Sequence, residues 1–490
     1  MYLQHPPVGM ERRAFLATSG AAGLALSLPG TAAASRSSPA VARRQSGYEP
    51  LGQVPVGSAA EAVVGDDGET AAVAVATGFV TVDVSDPADP TILAEERDIE
   101  LEGESLSQIL DVTVDGDRLV VAGPANPGPG IKGFRCYDVS DPADPASIGA
   151  YETGYHIHNC YLEDELLFVA ANTQRENPLV IYDVGGDEIA HVGTWSLLDR
   201  EPGWRDTNMF ARYLHDVYVH DGMAYLAHWN AGTYLVDVTD PTEPEYVSHV
   251  AETTLAEQRE IDDWRDAAYG LPGNDHYAAV DETGDLMAVG REAWATGGPA
   301  PDRPGGIDLY DVSDPSEPVH RGSIDPPRTT DESYGGGTWT TSHNFELRDD
   351  RLYSSWYRAG VKIHDVSDPA DPEQLAWWRD PAETGFWTAR VLEPGETFVA
   401  SSTEAIRNTS IKGALYTFPI EAGEQTDPPS LQEPGGWGAD SNGSNETNGA
   451  ANETEADGGD DSIPGFTALG GLAVGGMGLE WLRRRGNVQD

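Results

Sequence analysis

The stretch Tyr310-Asp311-Val312-Ser313-Asp314-Pro315-Ser316-Glu317-Pro318 decides the fold of this chain. Near-copies stand at Val82–Pro90, Tyr137–Pro145, Val236–Pro244 and His364–Pro372. A degenerate copy covers Ile181–Asp187, and Leu415–Pro419 fills the last slot, so the internal period counts seven. A repeat of this length fixes the architecture before any local reading does.

Each unit has four beats, clearest in the sixth. Ser342–Leu347 alternates, Arg348-Asp349-Asp350 turns, and Arg351–Tyr357 is a second strand. Val361–Val366 follows as a third, the Ser-Asp-Pro turn comes next, and Glu373–Trp378 is the fourth. Asp, Gly and Pro tolerate or pre-set turn dihedrals. Short strands at regular spacing predict an all-β chain. Four-stranded units too small to bury their faces alone predict a seven-bladed β-propeller of antiparallel blades. Phe386–Phe418 supplies only three strands of the last blade, and Pro50–Val56 resembles Pro318–Ile324. An N-terminal strand therefore closes the last blade and removes its open edge.

The third strand and turn, as in Leu235-Val236-Asp237-Val238-Thr239-Asp240-Pro241, resemble the LVIVD-repeat family of extracellular bacterial and archaeal proteins. The resemblance implies a β-propeller and no particular activity, so function has to be argued from a site.

The chain has 490 residues, 82 acidic and 30 basic side chains, and a net charge of -52. With 39% hydrophobic residues and clear strand patterning, this charge reads as the surface of a folded protein adapted to high salt. Such a surface makes nucleic acid a poor partner, because phosphate contacts need clustered Lys and Arg. Cys136 and Cys160 are the only cysteines, which implies no disulfide framework. They either pair with each other or stay as two buried thiols.

The chain divides at 34, 47, 421 and 463. Residues 1–34 read as a signal peptide: Arg12-Arg13-Ala14-Phe15-Leu16 resembles a twin-arginine motif, Ala17–Leu28 is apolar, and Ala32-Ala33-Ala34 offers a cleavage site. Residues 35–47 are a linker and 48–421 the propeller. Residues 422–463 form an acidic Asn/Ser/Thr/Gly-rich spacer, expected to be disordered, with glycosylation sequons at Asn442, Asn445 and Asn452. In residues 464–490, Pro464-Gly465-Phe466, an apolar stretch to Leu482 and Arg483-Arg484-Arg485 resemble the archaeal PGF-CTERM sorting signal. That resemblance implies an archaeosortase-like processing enzyme, a membrane lipid anchor and an extracellular protein held at the outer face of the cell membrane. The leader implies the twin-arginine export machinery as a second partner.

Aligning the units on their turns isolates one position. Four residues before the last apolar residue of the first strand stand His158, His215, His276 and His343, with Leu110 and Trp387 in the equivalent slots. First strands line a propeller's channel about 10 Å apart, so imidazoles from adjacent blades converge. Such a ring suits a divalent transition metal, zinc, copper or iron. A blue-copper centre is disfavoured, since Cys160 lies deeper than His158. Among propellers, the selenium-binding-protein/methanethiol oxidase group resembles this arrangement in holding metals near the channel. Asn159, Asp216 and Asn344 follow ring histidines and, by strict alternation, point to the opposite face of the pleat.

Short repetitive turns mark one face of the propeller. The long segments Leu197–Tyr213, Ala251–Asp275, Arg291–Gly306, Asp325–Thr341 and Thr403–Gly413 mark the other, at the histidine mouth. Ligand-binding candidates there are Trp204, Arg205, Arg212, Arg291, Glu292, Trp294, Trp339, Tyr357 and Trp387, with His228 in a second strand. Glu257–Tyr269 is expected to be a lid helix. The recurring Asp pairs read as turn chemistry and not as calcium ligands.

Two functions stand side by side. One is a surface-anchored propeller that binds a ligand, glycan or protein through its loop face, with a His-ligated metal at the channel mouth. The other is a metal-dependent extracytoplasmic oxidoreductase or lyase using the histidine ring.

Overall fold

The Ser-Asp-Pro stretch folds by binding itself. Asp311 Oδ1 accepts from the Ser313 amide at 3.1 Å and its hydroxyl at 2.7 Å, and Asp314 Oδ1 does the same for Ser316 at 3.0 and 2.6 Å. Asp237 with Thr239 and Asp365 with Ser367 repeat the pattern. These local bonds give the chain an alternative to a ladder, which ends one strand and starts the next.

The structure is a computed structural model and describes residues 45–432 apart from 174, 187, 262, 299–300, 394 and 407–408. The signal peptide, the three sequons at Asn442, Asn445 and Asn452, and the sorting segment lie outside the described residues. Among the described residues no helix is long and apolar enough to cross a membrane.

Among the described residues seven antiparallel blades follow one another along the chain, with one two-stranded sheet, Glu100–Leu101 with Glu104–Ser105, beside them. Their inner strands are Ala59–Val64, Asp111–Asp115, His156–Glu163, Asp216–His220, Asp275–Val280, Phe345–Arg348 and Phe386–Glu393, numbered here as blades one to seven. The expected closure is present: Gly52–Pro55 pairs antiparallel with Ala414–Pro419 as the outer strand of blade seven. Blade six also gains Gly423–Glu424, parallel to its outer strand Glu373–Trp378. Beyond it Leu431 is buried in one cluster with Trp356 and Val366, while most of residues 424–432, in the expected spacer, are exposed.

The turn's first proline also joins the blades. The Pro241 carbonyl lies where a side chain on Gly193 of blade three would start, and Pro369 stands likewise over Gly322 of blade five. Where the preceding blade has a hydroxyl it donates instead, as Thr81 to Pro142 and Ser248 to Pro315. Blade three has lost its proline, and Gly149 of blade two meets the Ile189 side chain in its place.

Inner strands carry a second repeated irregularity. Register shifts fall between Ala59 and Ala62, Ile157 and Cys160, Asp275 and Tyr277, and Phe386 and Thr388. Each lies at the ring position. An extra residue there breaks the alternation, so consecutive side chains can face the same side.

The long segments fold over the histidine mouth. The expected lid helix is two shorter ones, Leu255–Gln258, with a Thr254–Glu257 capping box, and Trp264–Tyr269, capped by Asp263. Ala268 and Tyr269 join Trp294, Trp339, Tyr357, Trp387, Ile406 and Ile411 in one apolar cluster. Cys136 and Cys160 are free, buried thiols.

Candidate metal centre in the channel

The bulges and strand starts bring His158, His215, His276 and His343 together. Neighbouring imidazole centroids lie 4.3, 3.9 and 4.5 Å apart around the arc, and Trp387 follows His343 at 4.2 Å. All four histidines are buried and line a chamber of about 10 Å³. That volume is at the lower limit for one water-sized occupant.

Backbone carbonyls orient three of the rings. Nδ1 of His158 lies 3.1 Å from the Ala125 oxygen, His215 3.1 Å from that of His276, and His343 2.7 Å from that of Trp387. A carbonyl only accepts, so Nδ1 carries the proton and Nε2 keeps its lone pair. Nε2 of His215, His276 and His343 is buried without a hydrogen-bond partner. Burial depresses every imidazole: His158 to about 4, His343 to about 3, and His215 and His276 well below the usual range. Neutral rings with free lone pairs are what a metal ligand has to be.

His276 differs from the others. Its Nδ1 faces Glu292 Oε2 at 3.3 Å, without hydrogen-bond geometry on either atom. Tyr357 donates its hydroxyl to the other Glu292 oxygen. Burial pushes the Glu292 carboxyl up to about 8, against the lowering effect of that hydroxyl. Among the described residues, His276, Glu292 and His343 offer ligand atoms within 4.8 Å of one another. Tyr357 reaches Glu292 from a left-handed backbone position at φ 44°, an uncommon conformation for a tyrosine.

The other candidates separate. Trp294, Trp339 and Trp387 are buried in the apolar cluster over the ring. Trp204 packs between blades three and four and donates to Glu201 at 3.3 Å. Arg205 is half-exposed beside Glu176 and Asp199. Arg212 is buried with Nε and Nη1 unpartnered, and its carbonyl meets His228 Nδ1 at 3.3 Å, away from the chamber. Arg291 is engaged by Asp275 at 3.1 Å, Glu252 at 3.4 Å and Asp308.

A second layer lies under the ring, and alternation hid it. Asn159, Asp216 and Asn344, expected on the opposite face, line the chamber together with Glu61 and Asp111. Asn344 donates to Glu61 at 2.7 Å, and Arg390 donates to its other oxygen at 2.7 Å. Burial raises the Glu61 pKa even so, pushes Asp111 up to about 8 with Glu61 adding to it, and raises Asp216 well above the usual range. A sequence signal existed in the paired polar residues His158-Asn159, His215-Asp216 and His343-Asn344, each at or near the start of an inner strand.

Fold and site together define a seven-bladed β-propeller with a histidine-ringed channel, a fold suited to binding or scaffolding. Residues 67–95 and 211–252 match the LVIVD repeat, which with this topology supports an LVIVD-repeat propeller. Among solved structures the chain is similar to the β-propeller domain of Cps50 (Swd1) from Myceliophteria thermophila. The TM-score is 0.50 at 9% identity, over 75% of this chain and 99% of that one, a likeness of fold alone. The chain matches no curated protein.

Proposed function

We propose that this propeller is a metal-binding surface protein whose channel histidines hold one divalent transition metal ion, zinc, copper or iron. The observation that carries the reading is the set of Nε2 atoms on His215, His276 and His343, buried without hydrogen-bond partners around one ion-sized chamber. Leaving such atoms unpaired costs about 1–3 kcal/mol each, and a bound cation removes that cost. His276 and His343 also share a cluster of ligand atoms with Glu292, which stands beside His276 Nδ1 outside the chamber lining and is oriented by Tyr357 as outer-sphere partners are.

A chamber of about 10 Å³ holds an ion or a water and no organic substrate, which supports binding over turnover at the ring. The test is elemental analysis of protein purified in high salt, alongside a His215→Ala/His343→Ala variant. One transition-metal ion per chain, lost in the folded variant, supports the reading. Metal-free wild-type protein that still fails to take up added ion overturns it.

The twin-arginine-like leader and the acidic spacer before Pro464-Gly465-Phe466 support export and anchoring at the outer membrane surface. Export in the folded state would let the ion be loaded in the cytoplasm. The mature mass tests anchoring: retention of residues 465–485 would exclude sortase-type processing.

A further inference from the structure

The channel continues past the histidines. Below the ring a cavity of about 660 Å³ extends toward the short hairpins, reaching Gly65–Gly68, Glu163, His220 and Arg348. Nine carboxyl groups and two guanidinium groups line it. Both guanidinium groups are engaged, Arg348 with Glu346 at 2.9 Å and Arg390 with Glu61 at 2.7 Å. Glu61, Asp111, Asn159, Asp216 and Asn344 border this cavity and the histidine chamber alike, so they are the partition between the two.

One atom of the partition points to a guest. Asp216 is 3% exposed, and its Oδ1 is buried with no hydrogen-bond partner. Asn344 Oδ1 is in the same position. Asp111 commits Oδ2 to the Cys160 amide at 2.7 Å, which fixes its carboxyl at the same wall. A buried carboxyl oxygen without a partner is costly, and a cation that meets it replaces the proton that burial otherwise favours. Oxygen donors in an acidic, water-accessible cavity suit a hard or hydrated divalent cation. The opposite side of the ring is closed by Tyr269, Trp294, Trp339, Tyr357 and Trp387, all buried.

We infer that the Asp111–Asp216 partition is a second, oxygen-donor site for a divalent cation, through which the ion reaches the histidine ring from the hairpin face. The loop face, with its aromatics, is then a stopper. The route rests on the metal-centre reading; the oxygen-donor site does not. Nine carboxyl groups raise the local cation concentration, and the partition exchanges water for fixed oxygens before the histidines take over.

Two measurements on the full chain in high salt test this. In the first, chelator-stripped protein takes up Co²⁺ in a stopped-flow instrument, followed by its visible absorption. Asp111→Asn/Asp216→Asn should slow uptake at least tenfold with an unchanged final spectrum, while Trp339→Ala leaves the rate unaltered. Wild-type rates in the double Asn variant, or faster uptake on opening the roof by Trp339→Ala, overturn the route.

In the second, Mn²⁺ binding is followed by electron paramagnetic resonance in the His215→Ala/His343→Ala background. One bound Mn²⁺ per chain, lost on adding Asp111→Asn and Asp216→Asn, supports the site. Indifference to those substitutions, or no bound Mn²⁺, overturns it. Asn keeps a carbonyl acceptor for the Cys160 amide, and Asp111→Asn alone serves if the double variant folds poorly. Mn²⁺ held at the partition by a wild-type chain that takes up no Co²⁺ would overturn the histidine centre and leave the partition site standing.

Discussion

The imidazole of His215 lies over that of His276, centroids 3.9 Å apart and planes 33° from parallel, while its Nδ1 approaches the His276 carbonyl oxygen at 3.1 Å. One blade's side chain is thus aimed by the next blade's backbone, at the point where that backbone bulges. The ring is built by the closed circle of blades and by no single blade.

Glu292 and Tyr357 extend this arrangement beyond the histidines. Tyr357→Phe removes the hydroxyl donated to Glu292 and is expected to lower metal affinity about 10–100-fold. Glu292→Gln is expected to weaken binding more, because it replaces an anionic oxygen beside His276 with a neutral amide. Chelator competition measures both, with near-ultraviolet circular dichroism as the check on folding.

Arg390 is the cation the channel wall depends on. It is 15% exposed and donates to Glu61 Oε1 at 2.7 Å, the Tyr277 hydroxyl at 3.0 Å and the Phe345 carbonyl at 2.6 Å. Arg390→Met leaves the buried Glu61 with the Asn344 amide but without its charge partner and should cost about 3–5 kcal/mol. Glu61→Gln/Arg390→Met should cost less than the single Arg390 variant. Denaturant melts of the two variants check the order.

The proline carbonyls that join the blades give a steric prediction. A Cβ on Gly322 would lie 2.3 Å from the Pro369 oxygen, whereas one on Gly57 meets nothing within 4 Å. Gly322→Ala is expected to destabilise by about 1–3 kcal/mol through overpacking. Gly57→Ala should stay within about 0.5 kcal/mol, as surface changes do. Thermal melts in matched salt distinguish them.

His364 carries a pH dependence separate from the site. It stands where sister repeats have Tyr137, Tyr182 and Tyr310. Burial, with Lys362 adding, depresses it to about 3. Between that value and the ordinary 6.5 the unfolded chain binds the extra proton, so stability rises with pH and is lost on acidification. His364→Tyr should flatten the curve by about 1.4 kcal/mol per pH unit across that window. Denaturant midpoints at pH 4 to 7 measure the difference.

Much of this was legible beforehand. The Asp-Val-Ser-Asp-Pro period set the blade count, and the missing fourth strand of blade seven located its closure at Pro50–Val56. The histidine slot emerged from the same alignment, because equivalent positions in a propeller share an axis. What alternation misread was Asn159, Asp216 and Asn344. A period of two assigns them to the far face; the bulge at Ile157–Cys160 returns Asn159 to the channel, while Asp216 and Asn344 reach it where their strands begin. Arg390 escaped notice because one buried arginine has no repeat partner to flag it.

The local sequence therefore determined the turns, the strands and the number of blades, since Asp, Ser, Pro and Gly act within a few residues. Tertiary structure decided which mouth is open. The loop aromatics that looked like a binding surface pack into a roof, because large apolar rings crowded over a closed ring of strands bury one another before they meet a ligand. The hairpin face, whose Asp-Val-Ser-Asp-Pro turns looked merely repetitive, surrounds the acidic cavity because closure of seven blades gathers their separate carboxylates around one axis.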